Sequence, residues 1–196
     1  MRRVNVVGTS CAGKTSLAAA LAARHGVPHI ELDGLHWDPG WTEVPDAVMR
    51  ERVRRVLETT DGWVMDGNYS AVRDLVWSRA DTVVWLDFPL QTILARYLRR
   101  TVRRLVAREE LWNGNRERLS MHLSRRDSLL LWIMSTYRRT RREYTELFAG
   151  RPDLRTVRLR SPAEADRWLR GHHASTGGGP WGAPRGGAAT HRARCP

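Results

Sequence analysis

Eight residues near the start of the chain have the composition and spacing of a phosphate-binding loop. They run from Gly8 to Thr15, read Gly-Thr-Ser-Cys-Ala-Gly-Lys-Thr and fit the pattern G-x-x-x-x-G-K-[ST]. In such a loop the glycines let backbone N–H groups turn towards phosphate oxygens, and the next helix adds its positive end. Lys14, the only lysine of the chain, is predicted to reach the β and γ phosphates of ATP, and Thr15 to ligate Mg²⁺. The predicted nucleotide-binding residues are Gly8, Ser10, Cys11, Ala12, Gly13, Lys14, Thr15 and Ser16.

Three aspartates each follow a predicted strand, and the strand before Asp66 is predicted to be buried. Because the carboxyl ends of parallel strands meet at the ligand-binding edge of an open α/β sheet, Asp66 is predicted to hold Mg²⁺ together with Thr15. Asp33 follows the preceding strand and is predicted to hold an acceptor hydroxyl or accept its proton. Asp87 is the weaker candidate, since it could simply cap a helix before Pro89.

Aromatic residues follow Asp33 in a segment that is rich in glycine, proline and tryptophan. His36, Trp37 and Trp41 could line an acceptor pocket by stacking on a ring. They could equally cap the hydrophobic core beneath a long loop. His36 is a weaker general-base candidate than Asp33, because one isolated histidine is little evidence.

Arginines dominate the second half of the chain around a Trp-Asn-Gly-Asn break. Arg104, Arg108 and Arg116 flank this break, and Arg138 and Arg142 share a face of the next predicted helix. Arginines delivered by a closing segment would stabilise a phosphoryl group in transfer and exclude water. We expect Arg116, Arg104 and Arg138 to act in this way and most other arginines to be solvated helix surface.

Hydrophobic periodicity indicates strands that alternate with helices, which predicts a parallel sheet covered on both faces. A loop is expected at 33–45, between the second strand and the next helix. Ser161, Pro162 and Glu164 have the order of a capping serine, a first-turn proline and an early acid in a final helix. The strands are predicted at 4–7, 28–32, 62–66, 81–87 and 156–159, and the helices at 15–25, 46–59, 71–78, 89–110, up to 148, and from 161.

The composition is that of one globular domain followed by a basic tail. The 196 residues are 41% hydrophobic and 28% charged. No run approaches the roughly 20 apolar residues of a membrane span, and the N-terminus lacks a secretory signal, so we expect no membrane partner and a cytoplasmic protein with two reduced cysteines. Residues 171–196 are rich in glycine and lack acids, and are predicted to be disordered.

The positive charge is concentrated in the second half of the chain. The net charge is +12, with −2 over residues 1–91 and +8 over residues 92–148. Such a surface would attract a polyanion or a phosphorylated ligand. An ordinary GTPase is not expected, because its Asn-Lys-x-Asp motif needs a lysine beyond Lys14.

Several of these segments together resemble known kinases. The phosphate loop, the Asp66-Gly67 pair, the arginine-rich helix and the closing strand and helix are similar to the adenylate-kinase-like nucleoside and nucleotide kinases. Three segments look more specifically like the bacterial topology modulation (FlaR-type) or adenylate-kinase-related proteins: Leu32-Asp33-Gly34-Leu35-His36-Trp37, Asp66-Gly67-Asn68-Tyr69 and Trp112-Asn113-Gly114-Asn115-Arg116-Glu117.

The resemblance covers residues 1–170 and implies a three-layer α/β P-loop NTPase fold. It implies a five-stranded parallel sheet in the order 2-3-1-4-5, a substrate-binding region at 33–60 and a helical lid at 103–126. The chain departs from adenylate kinases where these have Asp-Gly-Phe-Pro-Arg, because it reads Asp-Gly-Asn-Tyr-Ser from Asp66. It thus lacks the arginine for the acceptor phosphate, although Arg73 could substitute.

Three functions remain open at this point. The leading one is an ATP- and Mg²⁺-dependent kinase of a small molecule, with a nucleoside or nucleotide as acceptor. The second is an ATP-binding regulator that interacts with DNA, and the third is an ATPase-like protein that binds a protein partner. The charge at 92–148 motivates the second, but no helix-turn-helix or zinc pattern accompanies it.

Overall fold

The structure is a computed structural model that describes residues 1–107, 113 and 129–171. Its strands, in chain order, are β1 (Arg3–Gly8), β2 (His29–Glu31), β3 (Trp37–Asp38), β4 (Thr42–Glu43), β5 (Trp63–Asp66), β6 (Thr82–Leu86) and β7 (Thr156–Leu159).

Five of these strands form one sheet in the order β2-β5-β1-β6-β7, with every neighbouring pair parallel. Counted by themselves, they have the order 2-3-1-4-5, so the predicted topology is confirmed. The central strands β1, β5 and β6 are buried along almost their whole length. This explains why they read as apolar runs without alternation. Strands β3 and β4 form a separate antiparallel hairpin.

Helices cover both faces of the sheet, which confirms the predicted three-layer α/β fold. One hydrophobic cluster joins the sheet to the first, fifth and last helices through residues such as Leu21, Ile93 and Ala165. The other joins it to the third, fourth and sixth helices through residues such as Val53 and Tyr144. No helix in the described ranges is long and apolar enough to cross a membrane. The helices are α1 (Lys14–His25), α2 (Leu32–His36), α3 (Asp46–Thr59), α4 (Ser70–Trp77), α5 (Leu90–Ala107), α6 (Leu129–Ala149) and α7 (Pro162–Gly171).

The prediction of a loop at 33–45 is wrong, because the structure has α2 and the β3–β4 hairpin there. The glycine and proline content of this segment favours a loop, but burial decides otherwise. Leu32 is 2% exposed in the cluster that contains Met49 and Val53 of α3, and Leu35 packs against the same cluster. Tertiary packing thus overrides a weak local preference.

The capping pattern predicted for the last helix is confirmed. The backbone N–H of Glu164 donates to the Ser161 hydroxyl oxygen at 3.2 Å. The Glu164 carboxylate in turn accepts the Arg160 backbone N–H at 2.7 Å. The first bond satisfies a first-turn N–H that has no partner within the helix, and the second ties the helix to the residue before its capping serine.

Asp87 is a structural ion-pair residue at the end of β6. Its side chain is 3% exposed and lies 2.9 Å from the Arg141 guanidinium and 2.6 Å from that of Arg158. Arg158 also lies over the ring of Trp85 at 4.4 Å. Because both arginines pair with this buried carboxylate, Asp87 holds α6 and β7 together at the end of β6.

Candidate functional site

The phosphate loop joins β1 to α1 through backbone that requires glycine. Gly8 has a φ of +143° and Gly13 a φ of +94°, while Cys11 adopts a φ of +65°. A Cβ on Gly8 would lie 2.6 Å from the Leu86 carbonyl oxygen of β6. The loop can therefore pass over the neighbouring strand only because this position has no side chain.

Gly8→Ala is expected to destabilise the protein by about 3 kcal/mol or more, because it adds a backbone clash to an unfavourable φ. Thermal unfolding measures the loss of stability, and the affinity for an ATP analogue measures the effect on the phosphate loop. The matched control is Gly26→Ala, where φ is +62° but no atom lies within 4 Å of the new Cβ. This control carries the strain alone, about 1–2 kcal/mol. Equal destabilisation of the two variants would contradict the steric explanation.

Thr15 and Asp66 meet at the carboxyl edge of the sheet. The Thr15 hydroxyl donates to Asp66 Oδ2 at 2.7 Å, and His29 Nε2 lies 2.8 Å from Asp66 Oδ1. Asp66 is 5% exposed at the end of β5. Its hydrogen bond to His29 raises the pKa of that histidine. His29 belongs to no sequence motif that would have predicted its role. It lies next to Asp66 because β2 pairs with β5.

This pair of side chains fits a magnesium ion. A hydroxyl and a carboxylate are hard oxygen donors, which Mg²⁺ prefers. Mg²⁺ usually takes only one or two protein ligands and completes its shell with water and substrate phosphates. Within the described residues there is no cluster of three or more His, Cys, Asp or Glu side chains that would form an all-protein metal site.

Lys14 and Asp33 belong to the same electrostatic environment as Asp66. Burial lowers the pKa of the Lys14 ammonium, whereas the carboxylates of Asp33 and Asp66 act to raise it. The Lys14 Nζ is 3.4 Å from the Thr9 carbonyl oxygen of its own loop. A partly desolvated ammonium next to two carboxylates is suited to bind a phosphate that arrives with a metal ion.

The turn after β5 contacts both the phosphate loop and α2. Asn68 accepts the Gly8 backbone N–H at 3.0 Å through Oδ1, and its Nδ2 donates to the Gly8 carbonyl oxygen. The next residue, Tyr69, donates its hydroxyl to Asp33 Oδ1 at 2.5 Å. One side chain therefore holds the start of the phosphate loop and its neighbour holds Asp33 on α2.

Arg96 of α5 contacts the phosphate loop, and Arg100 acts on the loop electrostatically; no sequence motif indicated either residue. Arg96 Nη1 donates to the Ala12 carbonyl oxygen at 2.5 Å, and its guanidinium lies over the Phe88 ring at 5.1 Å. Arg100 follows one turn later, and its charge adds to the lowering of the Lys14 pKa. The i, i+4 spacing of Arg96 and Arg100 indicates that they share a helix face, but other arginines of this helix have the same spacing.

Of the three arginines predicted to act on the phosphoryl group, only Arg138 has a side chain that the structure describes. Arg104 lies in α5 with its side chain outside the described part, and Arg116 lies outside the described residues, as does most of the proposed lid. Arg138 is exposed on α6, in an open groove that Asp87, Arg141 and Arg160 also line.

Arg73 is held by groups other than an acceptor phosphate. Its Nη2 donates to Glu143 Oε1 at 2.8 Å. Its guanidinium also lies over the rings of Trp77 and Tyr144, at 5.6 and 5.7 Å. The predicted substitution by Arg73 would require these contacts to break.

Known proteins resemble the chain mainly through its fold. No protein-family model matches it. An uncharacterized protein of Bacillus subtilis (strain 168), YqaC, is 27% identical over 106 residues, which are 53% of this chain and 58% of that protein. The chain thus matches little more than half the length of this relative.

Solved structures of kinases align over most of the chain. An unliganded sugar kinase from Janibacter sp. HTCC2649 is 20% identical, with a TM-score of 0.46 over 87% of this chain and 93% of that one. A shikimate kinase from Bacteroides thetaiotaomicron is 15% identical, with a TM-score of 0.51 over 86% of this chain and 94% of that one. The chain therefore shares the α/β fold of this shikimate kinase.

Proposed function

We propose that this protein is an ATP- and Mg²⁺-dependent phosphotransferase that acts on a small molecule, with a nucleoside or nucleotide as acceptor. The observation that carries the proposal is that Thr15 of the phosphate loop donates to Asp66 at 2.7 Å, while Tyr69, three residues after Asp66, holds a second carboxylate, Asp33, at 2.5 Å. A nucleotide switch needs the phosphate loop and the metal site, but it has no need for a second carboxylate on the acceptor side. The fold shared with a shikimate kinase also supports kinase activity.

The donor half of the site binds the nucleotide. Gly8, whose own N–H is bonded to Asn68, gives the loop its turn; the loop and the start of α1, as far as Ser16, surround the phosphates, and Lys14 binds the β and γ phosphate oxygens. Thr15 and Asp66 would hold Mg²⁺, which would supply positive charge to neutralise the phosphates. His29 keeps the Asp66 carboxylate oriented through its 2.8 Å contact.

The acceptor half supplies the base. Asp33 accepts the proton of the attacking hydroxyl as that oxygen bonds to the γ phosphorus and ADP leaves. Tyr69 occupies Asp33 Oδ1, which leaves Oδ2 for the acceptor. The rings of His36 and Trp37 lie beside Tyr69 and offer an apolar surface to the rest of the acceptor.

Arg96 and Arg100 stabilise the transferred group from the α5 side. Arg96 holds the loop through the Ala12 carbonyl, and Arg100 adds positive charge next to Lys14. The roles of Arg104, Arg116 and Arg138 stay predictions.

Arg100→Ala is expected to lower kcat about 10- to 100-fold, because it removes a positive charge that counts most when charge spreads over the moving phosphoryl group. The matched control is Arg99→Ala, which removes the adjacent, exposed arginine of α5 and should change kcat by about 2-fold or less. Steady-state kinetics with saturating ATP provide the comparison. Equal losses in both variants would exclude a specific role for Arg100.

The proposed function is tested by supplying ATP, Mg²⁺ and a mixture of nucleosides, nucleoside monophosphates and small metabolites. Mass spectrometry should then detect a product heavier than one acceptor by a phosphoryl group, and omission of Mg²⁺ should remove it. ATP binding without a phosphorylated product from any acceptor would contradict the proposal.

A second candidate function, an ATP-binding regulator that contacts DNA or a protein, is favoured by one surface. Arg138, Arg139 and Arg142 are exposed on α6. A DNA-binding role predicts an affinity for duplex DNA that falls steeply as salt rises. Absence of binding at low salt would remove that role.

A further inference from the structure

The described residues around Asp33 include the aromatic side chains of His36, Trp37, Trp41 and Tyr69, and we call this group the acceptor side. The His36 ring lies 4.5 Å from the Tyr69 ring and 4.9 Å from the Trp37 ring, and Trp37 lies 5.6 Å from Trp41. His36 Nδ1 is shielded from solvent and has no hydrogen-bond partner among the described residues. A planar base offers both a stacking face and polar groups for such a nitrogen.

Every arginine of α3 and α4, the helices next to α2 and Tyr69, is already paired with a carboxylate. Arg52 binds both oxygens of Asp38, at 3.0 and 3.3 Å, and the Leu35 carbonyl oxygen at 3.1 Å. Arg50 binds both oxygens of Asp74, at 2.7 and 2.8 Å. The other pairs are Arg54 and Arg55 with Glu51, and Arg73 with Glu143.

Asp33 contributes a negative charge to the acceptor side. Asp33 receives a hydrogen bond from Tyr69, and no arginine or lysine of the described residues forms an ion pair with it. Burial raises the pKa of Tyr69, and the charges of Asp33 and Glu43 raise it further. Arg96 contacts the phosphate loop through the Ala12 carbonyl oxygen, and the charge of Arg100 acts on Lys14 of the same loop.

We infer that the acceptor is an uncharged nucleoside, not a nucleoside monophosphate. A monophosphate would place about two negative charges next to Asp33 with every arginine of α3 and α4 occupied, and such like-charge contacts discriminate against a ligand. An uncharged nucleoside can place a hydroxyl on Asp33 and its base on the aromatic rings. This inference rests on the phosphotransferase function proposed above.

The test compares matched pairs: adenosine, guanosine, cytidine, uridine and thymidine, each against its own 5′-monophosphate. Initial rates of ADP formation with ATP and Mg²⁺ are measured for the full chain. We expect at least one nucleoside to have a kcat/KM about 100-fold above that of its monophosphate. A monophosphate that reacts as well as its nucleoside, or better, would overturn the inference and leave the phosphotransferase function intact.

Calorimetry of the same pairs, with the protein saturated by a non-hydrolysable ATP analogue and Mg²⁺, gives an answer that does not depend on turnover. Nucleoside binding without monophosphate binding supports the inference, even if no product forms and the phosphotransferase function fails. Tighter binding of the monophosphates, or no binding of either member of any pair, overturns it.

Asp38→Ala tests the cause of the discrimination, because it removes both carboxylate contacts of Arg52, leaves only its bond to the Leu35 carbonyl oxygen, and does not change Asp33. The variant is expected to raise the monophosphate kcat/KM about 10-fold and to change the nucleoside value by less than about 2-fold. An unchanged monophosphate value would overturn the role assigned to the paired arginines.

Discussion

Lys14→Ala is expected to lower phosphoryl transfer by about 10³-fold or more, because it removes the ammonium that binds the β and γ phosphates. The loss should appear in kcat as well as in the KM for ATP, since charge on the γ phosphate is redistributed during transfer. No other lysine can take over, because the chain has none. Initial rates of ADP formation measure the effect.

The control for this prediction is Arg79→Ala, which removes an exposed cation between α4 and β6. Its rate should stay within about 2-fold of wild type. Thermal unfolding of both variants shows whether the fold is retained. A folded Lys14→Ala protein with nearly wild-type turnover would refute the assignment of the phosphate loop.

Asp33→Asn is expected to lower kcat about 10²- to 10⁴-fold while leaving the affinity for ATP nearly unchanged. The amide keeps the shape of the side chain but cannot accept the proton of the acceptor hydroxyl. Calorimetric binding of an ATP analogue and single-turnover rates separate the two quantities. Loss of ATP binding with unchanged chemistry would place Asp33 on the donor side instead.

The matched control is Asp61→Asn, a change of an exposed carboxylate in the turn before β5. It should leave both binding and turnover within about 2-fold of wild type. A comparable loss in this variant would show that net charge, and not the position of Asp33, controls the rate.

Much of the fold could be predicted because its strands are buried on both sides. Residues 62–66 and 81–87 were recognisable as strands from apolar runs alone, and the structure has β5 and β6 there. The meeting of Thr15 and Asp66, 51 residues apart, could be anticipated because parallel strands bring their carboxyl ends to one edge. The short α2 could not, because its helical form depends on the packing of Leu32 against α3.

The arginines show the limit of sequence reasoning at the site. Arg96, Arg100, Arg104 and Arg108 all follow i, i+4 spacing, so spacing alone does not say which of them reach the loop. The structure distinguishes Arg96 because the space above Gly13 is filled by its guanidinium, 2.5 Å from where a Cβ would lie. The paired state of Arg52 and Arg73 depends on contacts between elements that are distant in sequence.

The most direct test of the phosphotransferase function follows the γ phosphoryl group itself. ATP labelled with ¹⁸O on the γ phosphate is incubated with the protein, Mg²⁺ and the nucleoside mixture, and the label is located by mass spectrometry. Phosphoryl transfer predicts that the label enters a nucleoside, and that Lys14→Ala prevents this. Label found only in inorganic phosphate, whatever acceptor is present, would contradict phosphoryl transfer and indicate a protein that hydrolyses ATP.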